Sequence, residues 1–476
     1  MKFILIPSLL VSSSSSSTNF LKMDSTISET PQLTHLAALP YPGRGHINAL
    51  MNFCKLLSLK NPNILISFIV SDEWFTFLAA DPKPPNLHFA TFPNLIPSEL
   101  GRAKDFPGFF RSVNTVMEPP IQTLLTHLHP PPSIVVADSF LTWAVRFGNR
   151  LNIPVASFWP MSATVLSIYY HFDFLKENGH FPADLSERGE EIVDYIPGVS
   201  ETRLADLPTF FSGDGHEVID LTLEAARSID KAQFLISTSV YELESSVIDV
   251  LKLKFPFPVY TIGPCTPYFD APNGCTDDYL RWLDSQTEGS VLYISQGSFL
   301  SVSSAQMDEI VAGVKASGVR FFWVARGNDG QLKGVDRETG MVVGWCDQLR
   351  VLCHSAIGGF WTHAGWNSTL EGVFAGVSML TWPIFCDQVP NSKKIVEDWK
   401  VGVRFKAVGG RDLVRRVEIA EFVKRFMNSD SVEGRKMRNR VLELREICRR
   451  AVAKGGSSHS NIDAFLDHIG ISYLYG

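Results

Sequence analysis

The chain has 476 residues, and its 43 lysines and arginines against 50 aspartates and glutamates give a net charge of −7. This acidic balance argues against a protein that binds a nucleic-acid backbone. Hydrophobic residues make up 45% of the chain and aromatic residues 11%, which excludes disorder for most of its length and suffices for the cores of two or three domains. No run of about 18 apolar residues occurs, so no integral membrane segment is predicted.

The first 22 residues differ in composition from the rest. An apolar stretch at 3–11 precedes a six-serine run at 12–17, which is the order of a secretory signal without a clear cleavage site. The other interpretation is that residues 1–22 are a disordered leader or lie upstream of the true start, because Met23 begins an ordinary soluble sequence.

Seven cysteines are scattered along the chain without a C-x-x-C pair. An odd, dispersed set favours neither a disulfide framework nor a zinc site. Reduced thiols in a cytoplasmic protein fit this usage best.

Short β-branched and aromatic runs alternate with helix-like stretches along the chain. These runs lie at 33–41, 63–71, 133–139, 153–159, 233–239, 290–298, 320–326, 357–363 and 378–383. Continuous apolar strands that alternate with helices predict an α/β fold with parallel sheets covered on both faces.

A Pro- and Gly-rich stretch divides the strands into two series, one ending near Phe255 and the next beginning near Val259. We therefore predict an N-terminal domain over 23–255, a linker over 256–275 and a second domain over 276–454.

The carboxyl end predicts two further helices. A long basic helix over 433–454 carries one buried stripe, formed by Met437, Val441, Leu444, Cys448 and Ala451. Two glycines end it, and a short last helix at 461–469 follows within the segment 455–476. We expect that segment to pack back on the N-terminal domain.

His46 follows the first predicted strand, in the loop that opens the first helix. In an open parallel sheet, ligands bind beyond the carboxyl ends of the strands, so this imidazole faces the predicted cleft. Asp138 ends another strand of the same series, where a carboxylate would fix the tautomer of a base and stabilise its imidazolium. The residues alone leave open that His46 is merely exposed or capping, and that Asp138 only caps the next helix.

The same loop also comes close to the G-x-G-x-x-G fingerprint of dinucleotide-binding proteins, through Gly43, Gly45 and Asn48. Asp72 follows the second strand at about the place of a ribose-binding acid. Asn48, however, replaces the third glycine, and Arg44 crowds the turn where a pyrophosphate would lie. An NAD-dependent oxidoreductase is therefore an alternative rather than the main interpretation.

A second loop follows the strand at 357–363 and leads into a helix. Free N–H groups at a helix start, with the side chains of His363, Asn367 and Ser368, would form an anion pocket suited to phosphates. Glu371 lies one turn further on and can accept from a sugar hydroxyl or close a capping box. The residues alone leave helix capping and phosphate binding equally open.

The turn Gln296-Gly297-Ser298 is a second candidate for anion binding, and an ordinary turn is its alternative. The chain contains neither a P-loop motif nor G-x-S-x-G, which argues against a P-loop NTPase and an α/β-hydrolase. It also lacks D-x-D, so no metal site is predicted, and a diphosphate would be held by the helix dipole, imidazole and amides.

The segment from Trp345 to Gln388 resembles the 44-residue donor-binding signature of plant family 1 UDP-sugar glycosyltransferases in its start, end and internal spacing. PYPGRGHIN resembles the first loop of that family, SVLYISQGS its phosphate-contacting turn, and GGSSHSNIDAFLDHI its carboxyl end. Only residues 1–22 have no counterpart. The resemblance implies the GT-B architecture, in which two Rossmann-like parallel-sheet domains face a cleft.

The resemblance also implies which residues contact the donor. Those implied to hold UDP are Ser298, Trp345, Cys346, Gln348, His363, Gly365, Asn367, Ser368 and Glu371. Among them, Trp345 would stack on uracil, and Gln348 and Glu371 would bind ribose hydroxyls. Those implied to hold the sugar are Trp366, Asp387 and Gln388. A glutamine that closes the signature accompanies glucose donors, so UDP-glucose is the expected co-substrate.

In this family, His46 would be the general base and Asp138 its partner, and the sugar would pass with inversion and without a metal to an acceptor hydroxyl or carboxyl. Aromatic clusters in the first domain could line an apolar acceptor pocket, and ordinary core packing is their alternative. We expect a small hydrophobic acceptor, such as a phenolic or a terpenoid.

The chain departs from the family pattern at several positions, namely Ala49, Gln296, Asp347, Ala364 and Ser378. None is a side chain assigned above, but the departures affect loop rigidity and donor selectivity and leave open a catalytically silent UDP-sugar-binding protein. The single N-x-[ST] sequon begins at Asn367. Because a glycan there would block the donor site, the sequon also favours the cytosol.

Overall fold

The computed structural model describes residues 34–211, 216–266, 278–297, 302–325, 332, 335–405, 413–428 and 431–470. The predicted leader 1–22, Ser298 and the end of the predicted linker lie outside these residues. The described residues form two parallel sheets, of seven and six strands, and one two-stranded antiparallel ribbon. None of the helices within these ranges combines the length and apolarity needed to span a bilayer.

The described residues of the first part of the chain contribute nine strands. They are β1 (His35–Leu39), β2 (Leu65–Ser71), β3 (Leu87–Phe92), β4 (Ile134–Asp138), β5 (Val155–Trp159), β6 (Ile192–Val193), β7 (Thr202–Arg203), β8 (Phe234–Ser237) and β9 (Val259–Thr261). Seven of them form one sheet in the order β3-β2-β1-β4-β5-β8-β9, and β6 and β7 pair as the separate ribbon. Every residue of the central strands β1, β4 and β5 is buried, as expected for a sheet covered on both faces.

Within the same described ranges, ten α-helices accompany these strands. They are α1 (Arg44–Lys60), α2 (Asp72–Leu78), α3 (Phe106–Val116), α4 (Glu118–His127), α5 (Ala144–Leu151), α6 (Ala163–Tyr170), α7 (Phe172–Glu177), α8 (Leu185–Arg188), α9 (His216–Ser228) and α10 (Tyr241–Lys254). Two apolar clusters pack on the opposite faces of the sheet. We call residues 34–266 the first lobe.

The second sheet is built from six parallel strands. They are β10 (Val291–Ser295), β11 (Arg320–Val324), β12 (Gly340–Val343), β13 (Ile357–Thr362), β14 (Met379–Thr381) and β15 (Gly402–Arg404), in the order β12-β11-β10-β13-β14-β15. We call residues 278–452 the second lobe.

Eight α-helices belong to the part of the later chain that the structure describes. They are α11 (Asp278–Asp284), α12 (Ser304–Ser317), α13 (Gln348–Leu352), α14 (Trp366–Ala375), α15 (Gln388–Lys393), α16 (Arg416–Met427), α17 (Val432–Val452) and α18 (Ser457–His468). A π-helical turn at Lys394–Asp398 continues α15 without a break.

The strand β9 corrects the predicted division of the chain. It pairs in parallel with β8, with Leu235 opposite Val259, so it closes the first sheet. The prediction that the second series begins near Val259 is therefore wrong, and the predicted linker 256–275 contains a strand. A three-residue strand carries too little pattern to reveal which sheet it joins; only its pairing decides that.

In the two parallel sheets, three strands missing from the sequence prediction, β3, β12 and β15, also lie at sheet edges. Each has one neighbour and is only partly buried along its length. Their apolar pattern is correspondingly weak, whereas the buried central strands were all predicted.

The two last helices pack on different lobes. On α17, Val441, Leu444, Cys448 and Ala451 are buried in the second lobe, while Met437 of the predicted stripe is only partly buried and packs on another cluster. On α18, by contrast, Phe465 is fully buried in the first lobe, against Phe53 and Tyr260. The chain therefore returns to the first lobe at its end.

We expect Phe465→Ala to lower the free energy of unfolding by about 3–5 kcal/mol, because it removes a fully buried ring and leaves a cavity. Urea denaturation followed by tryptophan fluorescence measures this change. Leu253→Ala is the matched control, since Leu253 is 89% exposed. Equal losses in the two variants would contradict the docking of α18.

Candidate active site

His46 lies in the first turn of α1, just beyond the carboxyl end of β1. Because β1 pairs in parallel with β4, with Leu39 opposite Ala137, Asp138 leaves its strand at the same sheet edge. Nδ1 of His46 lies 2.8 Å from Oδ2 of Asp138. The carboxylate is fully buried and the imidazole is 23% exposed, so the pair presents the ring at the surface of the lobe.

The surroundings of Asp138 fix the orientation of the imidazole. Its other carboxylate oxygen accepts a hydrogen bond from the backbone N–H of Phe140 at 3.0 Å. The helix that follows, α5, begins after Trp143 without a side-chain cap, so Asp138 does not act as its cap. The rings of Tyr41 and Phe140 flank the imidazole, with centroids 5.0 and 5.5 Å away. Nε2 is then the nitrogen left to receive a proton.

The helix α14 starts directly beyond β13 in the second lobe. Gly365 precedes it, no side chain caps its first turn, and no acidic residue lies there. Its first N–H groups therefore have no intrahelical acceptor and form the positive end of the helix dipole. Ser368 is the third residue of the helix rather than its cap. The structure therefore does not use Ser368 to cap this helix.

The ring of His363 packs against two glycines. A Cβ added at Gly365 would lie 2.5 Å from Nε2 of His363, and one at Gly297 would lie 2.8 Å from the same atom. Burial lowers the pKa of His363 to about 4, against the opposing effect of the Ser295 carbonyl. The imidazole is consequently neutral at neutral pH and offers hydrogen-bonding nitrogens instead of a charge.

Gln348 organises a polar network at the start of α13. Its Nε2 donates to Oγ of Ser368 at 2.9 Å and to Oε2 of Glu371 at 2.6 Å. Its Oε1 accepts from the hydroxyl of Tyr293 at 2.9 Å. Burial raises the pKa of Glu371 to about 7, although the hydrogen bond from Gln348 opposes this, and the nearby Asp347 raises it further. This carboxyl therefore titrates near neutral pH.

Sequence reasoning missed Tyr293. It lies in the middle of β10, where an aromatic residue reads as ordinary core, and it is almost fully buried. Only the contacts of its hydroxyl with Gln348 and Cys346 place it in the site, and the sequence carries no signal for them.

Beside this network, Trp345 is 62% exposed and offers an open aromatic face. Cys346 is buried, with its Sγ 3.6 Å from the hydroxyl of Tyr293. These two residues lie in the loop 344–347, which connects β12 to α13. The loop therefore places a flat apolar surface next to the polar groups of Gln348.

Two residues at the start of α15 complete the second-lobe side. Asp387 accepts from Nδ2 of Asn391 at 2.8 Å, and that amide also donates to the carbonyl of Ala364. Burial raises the pKa of Asp387 to about 6, while Asn391 and the nearby His46 act in the opposite direction. Oε1 of Gln388 accepts from the backbone N–H groups of Ile384 and Phe385, which fixes that side chain.

Trp366 differs from its neighbours in placement. Its side chain is 3% exposed, and its ring packs against Trp399 at 6.1 Å. The indole therefore belongs to the core of the second lobe, and the group that Trp366 offers at the helix start is its backbone N–H.

The two lobes touch at the loops just described. Nδ2 of Asn367 donates to the carbonyl of Gly45 at 2.7 Å, next to His46 in sequence. The structure thus brings His46 and Asp138 together with the loops that carry His363, Asn367 and Asp387. No cluster of three or more potential metal ligands occurs among the described residues.

Comparison with known proteins decides the family. The family model described as UDP-glucoronosyl and UDP-glucosyl transferase matches residues 214–429. UDP-glycosyltransferase 87A2 of Arabidopsis thaliana is 52% identical over 453 residues, which cover 94% of this chain and 99% of that protein. This chain belongs to the plant family 1 UDP-glycosyltransferases. It is therefore an enzyme that transfers a sugar from a UDP-sugar donor to an acceptor.

Other relatives agree with this assignment. The 7-deoxyloganetin glucosyltransferase of Catharanthus roseus is 30% identical over 476 residues, covering 91% of this chain and 94% of that protein. Membership of the glycosyltransferase family replaces the oxidoreductase alternative, and Asp72, the residue considered there for ribose, is exposed at the start of α2.

Solved plant glycosyltransferases share the fold. UGT71G1 of Medicago truncatula, complexed with UDP-glucose, is 30% identical with a TM-score of 0.76 over 93% of this chain and 100% of its own. UGT2 of Phytolacca americana, complexed with UDP-2fluoro-glucose and pterostilbene, is 26% identical with a TM-score of 0.74 over 92% of this chain and 99% of its own. The predicted GT-B architecture is confirmed.

We expect Gly365→Ala to weaken UDP binding by about tenfold, which corresponds to about 1.4 kcal/mol. The backbone angles at Gly365, φ −62° and ψ 145°, suit alanine, but the new Cβ would displace the ring of His363. Isothermal titration calorimetry with UDP measures the change. Gly101→Ala is the control, because a Cβ there meets nothing within 4 Å. An unchanged Kd for Gly365→Ala would remove His363 from the anion pocket.

Proposed function

We propose that this glycosyltransferase moves glucose from UDP-glucose to a hydroxyl or carboxyl group of a small hydrophobic acceptor, with His46 as general base. The observation that carries this proposal is the 2.8 Å contact between His46 and Asp138, held beside the start of α14 by the Asn367–Gly45 hydrogen bond. This contact has a base on one side and the N-terminus of α14, which suits an anion, on the other. Such an arrangement suits attack on a sugar that is linked to a diphosphate.

The chemistry follows from this arrangement. Nε2 of His46 takes the proton of the acceptor hydroxyl as the acceptor oxygen forms a bond to the anomeric carbon. The bond from that carbon to the diphosphate breaks, and UDP leaves towards the N-terminus of α14. Asp138 stabilises the imidazolium that forms. Attack from the side opposite the leaving group inverts the configuration at the anomeric carbon.

On the donor side, we assign uracil to the exposed face of Trp345 and the backbone of Cys346, and the ribose to Gln348 and Glu371. We assign the diphosphate to the N-terminus of α14, including Gly365, and to the side chains of His363, Asn367 and Ser368. The sequence adds Ser298 to this set. We assign the glucose to Asp387, Gln388 and the backbone of Trp366. The complex of UGT71G1 with UDP-glucose supports a glucose donor.

On the acceptor side, aromatic side chains lie next to the proposed base, His46. Tyr41 contacts the rings of Phe110 and Phe140 as well as His46. From the second lobe, Phe385 reaches Phe106 of the first lobe, with ring centroids 5.4 Å apart. Apolar walls with few polar groups favour a hydrophobic small molecule. The complex of Phytolacca americana UGT2 with pterostilbene fits a phenolic acceptor.

We expect His46→Ala to reduce turnover by about 10²- to 10⁴-fold, the usual contribution of a general base, and to leave the Kd for UDP nearly unchanged. A panel of phenols and terpenoid alcohols with labelled UDP-glucose, and with UDP-galactose as the competing donor, measures both activity and donor preference. Full turnover in His46→Ala would exclude the proposed base, and a preference for UDP-galactose would exclude the glucose assignment.

We expect UDP-glucose to bind up to about tenfold more tightly at pH 8 than at pH 6. The pKa of Glu371 is about 7, so the carboxylate that accepts from ribose hydroxyls is the minor form at pH 6 and the major form at pH 8. The diphosphate of UDP-glucose does not titrate in this range. Calorimetry across this window measures the slope, and Glu371→Gln should flatten it. The same slope in that variant would contradict the role of Glu371.

A further inference from the structure

The segment that carries Asp387 and Gln388 is attached to the first lobe just before α15. The backbone N–H of Cys386 donates to Oγ1 of Thr209 at 2.8 Å, and the N–H of Thr209 donates to the carbonyl of Cys386 at 3.4 Å. Cys386 adopts a φ of 55°, a conformation that non-glycine residues seldom take without local support. This end of the segment is therefore held by the first lobe.

The other end of α15 is attached to the first lobe as well. At Lys394 the α-helix passes into the π-helical turn Lys394–Asp398, a distortion that is frequent at functional sites. Nζ of Lys394 lies 3.3 Å from Oε1 of Glu244 in the first lobe, and the two side chains are 9% and 0% exposed. The neighbouring Lys393 donates to Oγ of Ser200, also in the first lobe, at 2.7 Å.

Glu244 is built to remain ionised in the interior. It accepts from the backbone N–H groups of Ala163 and Thr164 and from the hydroxyls of Thr164 and Ser239, at 2.6–3.1 Å. Burial by itself raises the pKa of Glu244, but Lys394 and these hydrogen bonds outweigh it, so the pKa is lowered. These fixed donors take the place of the water that would solvate an exposed carboxylate, and they hold the side chain of Glu244 in one position.

Lys394 also connects the carboxylate of Glu244 to α14. Its ammonium lies over the ring of Trp399, 5.7 Å from the centroid, and Trp399 packs against Trp366 in the first turn of α14. A second buried carboxylate of the first lobe, Asp206, pairs with Arg404, whose Nε also donates to Oγ of Ser392 in α15. The first lobe therefore holds α15 just before its start, through Thr209, and at its end, through Glu244, Ser200 and, by way of Arg404, Asp206.

We propose that Lys394 is a positioning residue, whose ion pair with Glu244 sets the place of Asp387 and Gln388 relative to His46. This inference rests on the proposed function. It assumes that Asp387 and Gln388 hold the sugar and that His46 deprotonates the acceptor that attacks it. A buried ion pair adds little net stability, since desolvation offsets attraction. Its contribution here is the fixed distance between the base in one lobe and the sugar site in the other.

Three variants of the full-length enzyme test this role: Lys394→Met, Lys394→Arg and the double variant Glu244→Gln/Lys394→Met. Each is measured for kcat and acceptor KM, for the Kd of UDP and for Tm. Lys424→Met is the matched control, because Lys424 is an exposed lysine of the second lobe on α16.

We expect Lys394→Met to lower kcat by about 10- to 100-fold, the usual effect of a small misplacement, with the Kd of UDP changed less than about twofold. Lys394→Arg keeps the charge and should recover part of kcat. The double variant removes both charges, so Tm should return towards the wild-type value while kcat stays low. This variant also tests the idea if the single Lys394→Met protein does not fold.

Two results would overturn the inference. The first is an unchanged kcat in Lys394→Met. The second is recovery of kcat together with Tm in the double variant, which would show that the ion pair only neutralises buried charge and does not position the sugar site. A wild-type enzyme that transfers glucose to none of the acceptors would instead refute the proposed function, and the inference with it. The wild-type assay therefore separates the two failures.

Discussion

The hydrogen bond from Asn367 to the carbonyl of Gly45 joins the two loops of the site, which belong to different sheets. On one side, β1 and β4 deliver His46 and Asp138 to the edge of the first sheet. On the other, β13 ends where α14 begins and directs unpaired N–H groups outwards. Parallel sheets expose their carboxyl edges, and the site depends on two such edges meeting at this contact.

The buried carboxylates of the molecule show how packing assigns different electrostatic states to one kind of group. Burial raises the pKa of Glu371 to about 7 and that of Asp387 to about 6, because few donors oppose the loss of solvent. Glu244 is buried at least as deeply, yet its pKa is lowered by Lys394 and several hydrogen bonds. The groups assigned to the donor can therefore change protonation near neutral pH, while the carboxylate between the lobes keeps its charge.

The accuracy of the sequence prediction followed burial. Central strands such as β1, β4 and β13 are apolar along their length because both faces are covered, and the sequence located all three. The strands β3, β12 and β15 were missed and β9 was assigned to the wrong series, and all four lie at sheet edges, where one side lacks a neighbour and the apolar pattern weakens. Most of the residues proposed for the site were found because they lie on loops with family-like motifs. Tyr293 and Trp366 show the limit, since an aromatic residue in a strand or helix gives no sign of whether it lines a site or fills a core.

The sequence by itself determined the α/β class, the two series of parallel strands, and the loops that carry His46 and His363, because strand periodicity and strand-end position are local properties. Only the tertiary structure decided that Asp138 pairs with His46 rather than capping α5, that Gln348 joins Ser368, Glu371 and Tyr293, and that Lys394 reaches Glu244. Glu244 and Lys394 are 150 positions apart in the chain, and no local pattern encodes such a contact. It exists because the two lobes pack so that the turn after α15 places Lys394 against the buried carboxylate of α10.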